Sequence, residues 1–178
     1  QRKGVSILYM NIGLLYVKLN DNEKSLEYLY KSLVINNEID YKKGQGECCV
    51  NIAMVNRLMN NYDEALINAY KSFEIAEELG DKKVIAFAYQ EMFKTFEDKK
   101  DYDKALEYGW KCYHLRKDIN HKQGIVEICN HLCNLFLKKG ELDKVLPLVK
   151  EAFDICEEAD FKAHIQTIYL ILEKKKKK

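Results

Sequence analysis

Six cysteines and four histidines are the obvious starting points for chemistry in this chain of 178 residues. Cys129 and Cys133 stand four apart, which puts both thiols on one face of a helix, with His131 between them and Cys112 and Cys156 on neighbouring segments. Such a set invites zinc. Structural zinc sites, however, pair closely spaced ligands on turns, and His131 points off the shared face. Close packing of small side chains accounts for Cys112 and Cys133 without a metal, so no metal site is expected. Cys48 and Cys49 diverge by about 100° around a helix and are poorly placed to bond each other. Gly44-Gln45-Gly46 lacks the preceding strand, the third glycine and the Gly-Lys-Ser/Thr ending of a phosphate loop. His114, His121 and His164 are spread along the chain, and no serine or cysteine has a triad context. The residues therefore point away from an enzyme and call for no cofactor.

Reversible hydrogen bonding is the chemistry that remains. An asparagine amide donates and accepts at once, as does each residue of an extended peptide backbone. Asn11, Asn51, Glu91 and His131 recur at intervals of 40 residues, and so do Leu14, Met54, Lys94 and Asn134. Asn130 and Arg57 flank these two series. The ten residues form the candidate binding set, with Asn11 and Asn51 matching backbone groups and Glu91 and Lys94 setting charge preference. The same residues also fit a plainer role as solvated polar groups beside a core column.

The elements that must hold them are set by the 40-residue interval itself. Asp63-Glu64-Ala65-Leu66 and Asp103-Lys104-Ala105-Leu106 are matched by Glu23-Lys24-Ser25-Leu26 and Asp143-Lys144-Val145-Leu146. Between copies lie turn signals in register: Asn20, Asn60, Lys100 and Gly140 end one helix, and Asp40, Gly80, Asn120 and Asp160 end the next. Gly, Asn and Asp tolerate the left-handed backbone of a helix C-cap, which makes Lys100 the exception. Apolar residues at three and four spacing, as in Ile52, Val55 and Met59 or Leu66, Ala69, Phe73 and Ala76, predict two helices of roughly 15 to 17 residues per unit. A single pair cannot cover its apolar face, so neighbouring pairs must stack. Pro147 falls in or just past the first turn of the last second helix, where a proline costs little.

This pattern resembles the tetratricopeptide repeat. The carriers are Tyr9, Ile12, Gly13 and Tyr16 in unit one, Cys49, Ile52, Ala53 and Asn56 in unit two, and the small second-helix pairs Ser25/Ser32, Ala65/Ser72, Ala105/Cys112 and Val145/Ala152. A period of 40 departs from the usual 34 and overlaps that of HEAT repeats, but the small packing columns and tight turns favour the first family. The likeness is to its longer-period subclass, found in bacterial sensory and regulatory proteins and in some animal scaffold proteins. It implies an all-α, right-handed α-solenoid of four helix pairs plus a C-terminal helix. It also implies that first helices line a concave face taking up a protein or peptide, in the signal-transduction segment of a larger protein. The cytoplasm is expected separately, because six cysteines without a disulfide framework read as free thiols of a reducing compartment. The family's lysine, arginine and asparagine clamp for a C-terminal carboxylate is mostly missing, since Met10, Leu14, Asn51, Phe87 and Glu91 stand at its columns. A self-association module without a groove ligand is the alternative.

Composition agrees with this frame. The chain is 47% hydrophobic and 32% charged with one proline, as suits one packed helical domain over residues 1–178. Its units are expected at about 4–40, 44–80, 84–120 and 124–160, followed by a helix at 161–173 and the lysine tail 174–178. That tail holds five of the 29 basic residues, leaving 24 against 28 acids, so the body is mildly acidic and does not suit nucleic acid. The tail itself could touch anionic lipid or nucleic acid, or simply be solvated. No apolar run approaches the roughly 20 residues of a membrane span.

Overall fold

Every turn between the helices described below passes through one left-handed residue. These are Asn20 (φ 59°), Asp40 (49°), Asn60 (62°), Gly80 (65°), Lys100 (62°), Asn120 (51°) and Gly140 (79°). At most of these turns, the next residue's N–H donates back across the helix end. Asp21 donates to Tyr16 O at 3.0 Å, Asn61 to Asn56 O at 2.9 Å and His121 to Arg116 O at 2.9 Å. This pairing satisfies carbonyls that the helix end would otherwise orphan. Asp21, Asp81 and Asp101 then accept from the N–H of Lys24, Val84 and Lys104, capping the helix that follows. Lys100 adopts the conformation that its neighbours in register reach with Asn or Gly.

The computed structural model describes residues 1–159. Eight α-helices lie among them: α1 (Arg2–Lys18), α2 (Asn22–Glu38), α3 (Lys42–Leu58), α4 (Tyr62–Glu78), α5 (Lys82–Asp98), α6 (Tyr102–Asp118), α7 (Lys122–Lys139) and α8 (Val145–Ala159). A 3-10 turn, Leu142–Lys144, precedes α8 and places Pro147 in its first α-turn. Asp160, His164, the helix expected at 161–173 and the lysine tail lie outside the described residues. None of the described helices is long and apolar enough to cross a membrane.

The chain divides into two compact units. The first, Gln1–Lys100, holds α1 to α5, and the second, from Asp101, holds α6 to α8. In the first unit each helix packs on the next, while α3 also touches α1 and α5, so first-type helices run side by side. In the second, α7 packs on both α6 and α8. The small columns lie at the helix contacts: Ser25, Ser32, Ala65, Ser72, Ala105, Cys112, Val145 and Ala152 are all fully buried. Gly13 shows the cause, since a Cβ there would stand 2.9 Å from Leu29 Cγ and 3.1 Å from the Ser25 carbonyl. Leu29 in turn forms a core with Ile52 and Val55, flanked by Leu26, Leu33 and Met59.

A polar seam crosses the first three helices. Ser6 Oγ donates to Asn36 Oδ1 at 2.6 Å and lies 2.9 Å from Ser32 Oγ. Cys48 Sγ donates to Ser32 Oγ at 3.1 Å. A buried network of this kind is stable only when its members are paired, which ties α1, α2 and α3 to one register.

Candidate functional site

α1, α3 and α5 turn one face toward a groove of about 490 Å³ in the first unit. Its walls are apolar: Met10 and Leu14 from α1, Val50 and Met54 from α3, Val84 and Phe87 from α5. Asn51 and Gln90 supply amides, and Glu91 and Lys94 charge. Asn51 is half-buried, and among the described residues no partner is recorded for its amide. An unoccupied amide on an apolar wall is placed to pair with one peptide unit of a ligand.

Ion pairs brace the rim. Arg57 spans from α3 to α5, contacting Glu91 and Asp98 at 3.1 Å each, and Lys94 lies 3.3 Å from Glu91. Burial works against the Arg57 charge, but the Glu91 and Asp98 carboxylates outweigh it and hold the guanidinium above its ordinary value. Across the groove Lys43 meets Asp81 at 3.1 Å. Burial opposes ionisation of Asp81, yet the Val84 N–H and Lys43 keep its carboxyl below the usual range. Beside them, Glu47 is pushed up by burial, with Lys43 opposing and Asp81 adding to the rise. A partly dehydrated carboxylate and three lysines, Lys43, Lys83 and Lys94, thus border an apolar floor.

Of the ten residues singled out in sequence, Leu14, Asn51, Met54, Glu91 and Lys94 line this groove. Arg57 supports it through Glu91. Asn11 is exposed on α1 and does not line it. Asn130, His131 and Asn134 are half-buried on α7 in the second unit, where Asn134 Nδ2 donates to the Asn130 carbonyl at 3.0 Å. Sequence reasoning passed over Met10, Val50 and Gln90 as site residues, although they form one column 40 apart beside the Asn11, Asn51 and Glu91 column. It also passed over Glu47, which shares a column with Phe87; Phe87, like Met10, was named only as standing at a column of the absent carboxylate clamp.

All six cysteines are buried thiols without disulfides, and no group of three or more His, Cys, Asp or Glu able to hold a metal ion occurs among the described residues.

The tetratricopeptide repeat family model matches residues 4–78. No curated protein matches the chain by sequence. Among solved structures, a Rap protein complexed with Competence and Sporulation Factor superposes with a TM-score of 0.91 at 19% identity, over 97% of this chain and 48% of that one. The Rap conjugation gene regulator of the plasmid pLS20, solved with the Phr* peptide, gives 0.84 at 15% identity, over 96% and 47%. A putative kinesin light chain from Podosopora anserina with TPR-like repeats gives 0.72 at 9% identity, over 99% and 95%. At such identities the likeness is one of fold, and the chain spans about half the length of the two Rap structures. Residues 4–78 carry the tetratricopeptide repeat signature, and the helix pair recurring every 40 residues together with structural neighbours of the same build gives the described helices a tetratricopeptide-like fold.

Proposed function

We propose that the groove between α1, α3 and α5 binds an extended peptide or a short helix of a partner protein, and that the chain is the interaction segment of a larger regulatory protein acting in signal transduction. The observation that carries this reading is the half-buried Asn51 amide standing between Met10, Leu14, Met54 and Phe87. Apolar walls supply binding energy, at about 25 cal/mol per Å² removed from water, while the amide and the charged rim fix direction and register. The Phr* complex of a Rap relative is consistent with a peptide ligand for this fold. The proposal includes a bacterial setting, supported by the same likeness, and a cytoplasmic one, supported by six free, buried thiols. The binding role is non-catalytic and draws on no cofactor.

Selection of a phage-displayed random dodecapeptide library on the immobilised protein tests the reading directly. Enriched peptides are expected to bind the parent chain and to lose at least tenfold in affinity to Asn51→Ala and to Phe87→Glu, the second on a side chain that is 43% exposed, with the melting temperature of each variant within about 2 °C of the parent. Peptides that bind both variants as tightly as the parent would remove the groove from consideration.

A further inference from the structure

Glu47 stands on the groove wall as a half-buried carboxylate, and among the described residues neither a hydrogen bond nor an ion pair reaches it. The other acids of the groove are taken up, Asp81 by Lys43 and Glu91 by Arg57 and Lys94. Glu47 belongs to α3, which packs against α1 on one side and α5 on the other, so its surroundings are those of the middle of the unit and not of a chain end. The charges acting on it are Lys43 and Lys3, which favour its ionised form, and Asp81, which opposes it. Lys43 is already held by Asp81 at 3.1 Å, and Lys3 lies over the Tyr41 ring at 4.0 Å. Neither lysine offsets burial, which pushes the Glu47 carboxyl above its ordinary value. A carboxylate partly shut off from water and short of donors gains from an arriving cation.

Neighbouring residues suit the cation to a side chain. Phe87 holds on α5 the place that Glu47 holds on α3, lines the groove and is 43% exposed. With Met10 it offers an apolar surface for the hydrocarbon stem of a lysine or arginine, leaving the charged head for Glu47. Lys83 lies one turn before Phe87, and its like charge keeps that head toward α3. Asn51 follows Glu47 by one helical turn, which separates their Cβ atoms by about 5 to 6 Å. Alternate residues of an extended peptide are about 6.6 Å apart and face the same way. A peptide unit paired with Asn51 therefore brings a side chain about two positions along up to Glu47. We propose that the groove takes an extended peptide carrying a basic side chain, lysine or arginine, whose cation Glu47 binds within two residues of the peptide unit held by Asn51. The proposal rests on the groove reading above and adds the charge of the ligand.

Pools of synthetic octapeptides, random in apolar and amide residues around one fixed position, test it. Four pools are acetylated and amidated and carry arginine, lysine, glutamate or norleucine at that position, and a fifth is the norleucine pool with a free N-terminal amine. Retention on the immobilised whole protein, read by mass spectrometry, is expected to be about tenfold higher for the arginine or the lysine pool than for blocked norleucine, and lowest for glutamate. Glu47→Gln should abolish the preference without lowering the melting temperature, because no bond within the fold is lost. Glu47→Lys should transfer it to the glutamate pool. Equal retention of all blocked pools, with Asn51→Ala still weakening each, overturns the cation while leaving the groove. A cation preference that survives in Glu47→Gln overturns the assignment to that residue. Retention of the free-amine pool alone makes a peptide N-terminus the cation and overturns the side chain. Pools that all ignore Asn51→Ala remove the groove itself and this proposal with it.

Discussion

A thiol buried among helices gives up its proton reluctantly, and this chain holds several. Burial pushes Cys49 up to about 11 and Cys133 up to about 12, and drives Cys129 further in the same direction. Such thiols are poor nucleophiles and poor metal ligands, as both roles need the thiolate. The spacing of Cys129 and Cys133 was visible in sequence, and so was the small packing column that explains Cys133. Linkage gives a pH dependence. An acid whose folded pKa exceeds its unfolded value stabilises the fold fully below the unfolded value, near 9.0, and that contribution is lost as pH rises toward the folded value. The slope is about 1.4 kcal/mol per pH unit for each such thiol. The melting temperature should fall between about pH 9 and pH 11, and a Cys49→Ala, Cys133→Ala variant should show a shallower fall over that window. Identical pH profiles would mean that neither thiol resists ionisation.

Asn11 and Asn51 show what residue types in register leave undetermined. They share a column, yet Asn51 lines the groove and Asn11 is exposed. Helical periodicity fixes the phase of a side chain only to within about one residue, or 100°. Which of two adjacent columns faces a groove then depends on how the helices are rotated against each other. That rotation is set by the packing partners of each helix, which its own periodicity does not name. Hence Met10, Val50 and Gln90, one column away, prove to be lining residues as well.

At the scale of the element, the turns were the most legible feature. Gly, Asn and Asp marked six of the left-handed positions, and position in the repeat marked the seventh, Lys100. A residue with a Cβ is strained in this region by roughly 1 kcal/mol or more, least so for Asn and Asp. Lys100→Gly is therefore expected to stabilise the chain by about 0.5 kcal/mol, the relief of strain being partly offset by a more flexible unfolded chain. Gly80→Ala, at φ 65° with nothing within 4 Å of the added carbon, should destabilise it by about 1 kcal/mol through backbone strain alone. Urea midpoints that move in opposite directions check both, and a shift of the same sign in the two variants would refute the strain argument. The start of α8 was less legible, because a 3-10 turn and an α-helix share the same acid, polar, small, leucine pattern.

For the molecule as a whole, the repeat accounts for the order and length of the helices, and the small columns account for how closely they approach. Ala65 is fully buried where α4 meets its neighbours, so Ala65→Leu is expected to overpack the first unit and cost about 1 to 3 kcal/mol. Chemical denaturation reads this out, and an unchanged midpoint would argue that the packing columns are misassigned. Part of the surface charge follows the repeat as well: Arg2, Lys42, Lys82 and Lys122 are basic and Glu38, Glu78, Asp118 and Glu158 acidic at intervals of 40, and the pair Lys99–Asp63 recurs one unit on as Lys139–Asp103.

The uniform left-handed turn has an evolutionary consequence. Each turn delivers the chain to the next helix through the same backbone geometry, whatever the flanking side chains, so unequal crossing-over within a gene that adds or removes 40 codons would rejoin helices at matching ends. Such a lineage can lengthen or shorten its array in whole steps without passing through a misfolded intermediate, and can acquire a new binding face by duplication before any point mutation is needed.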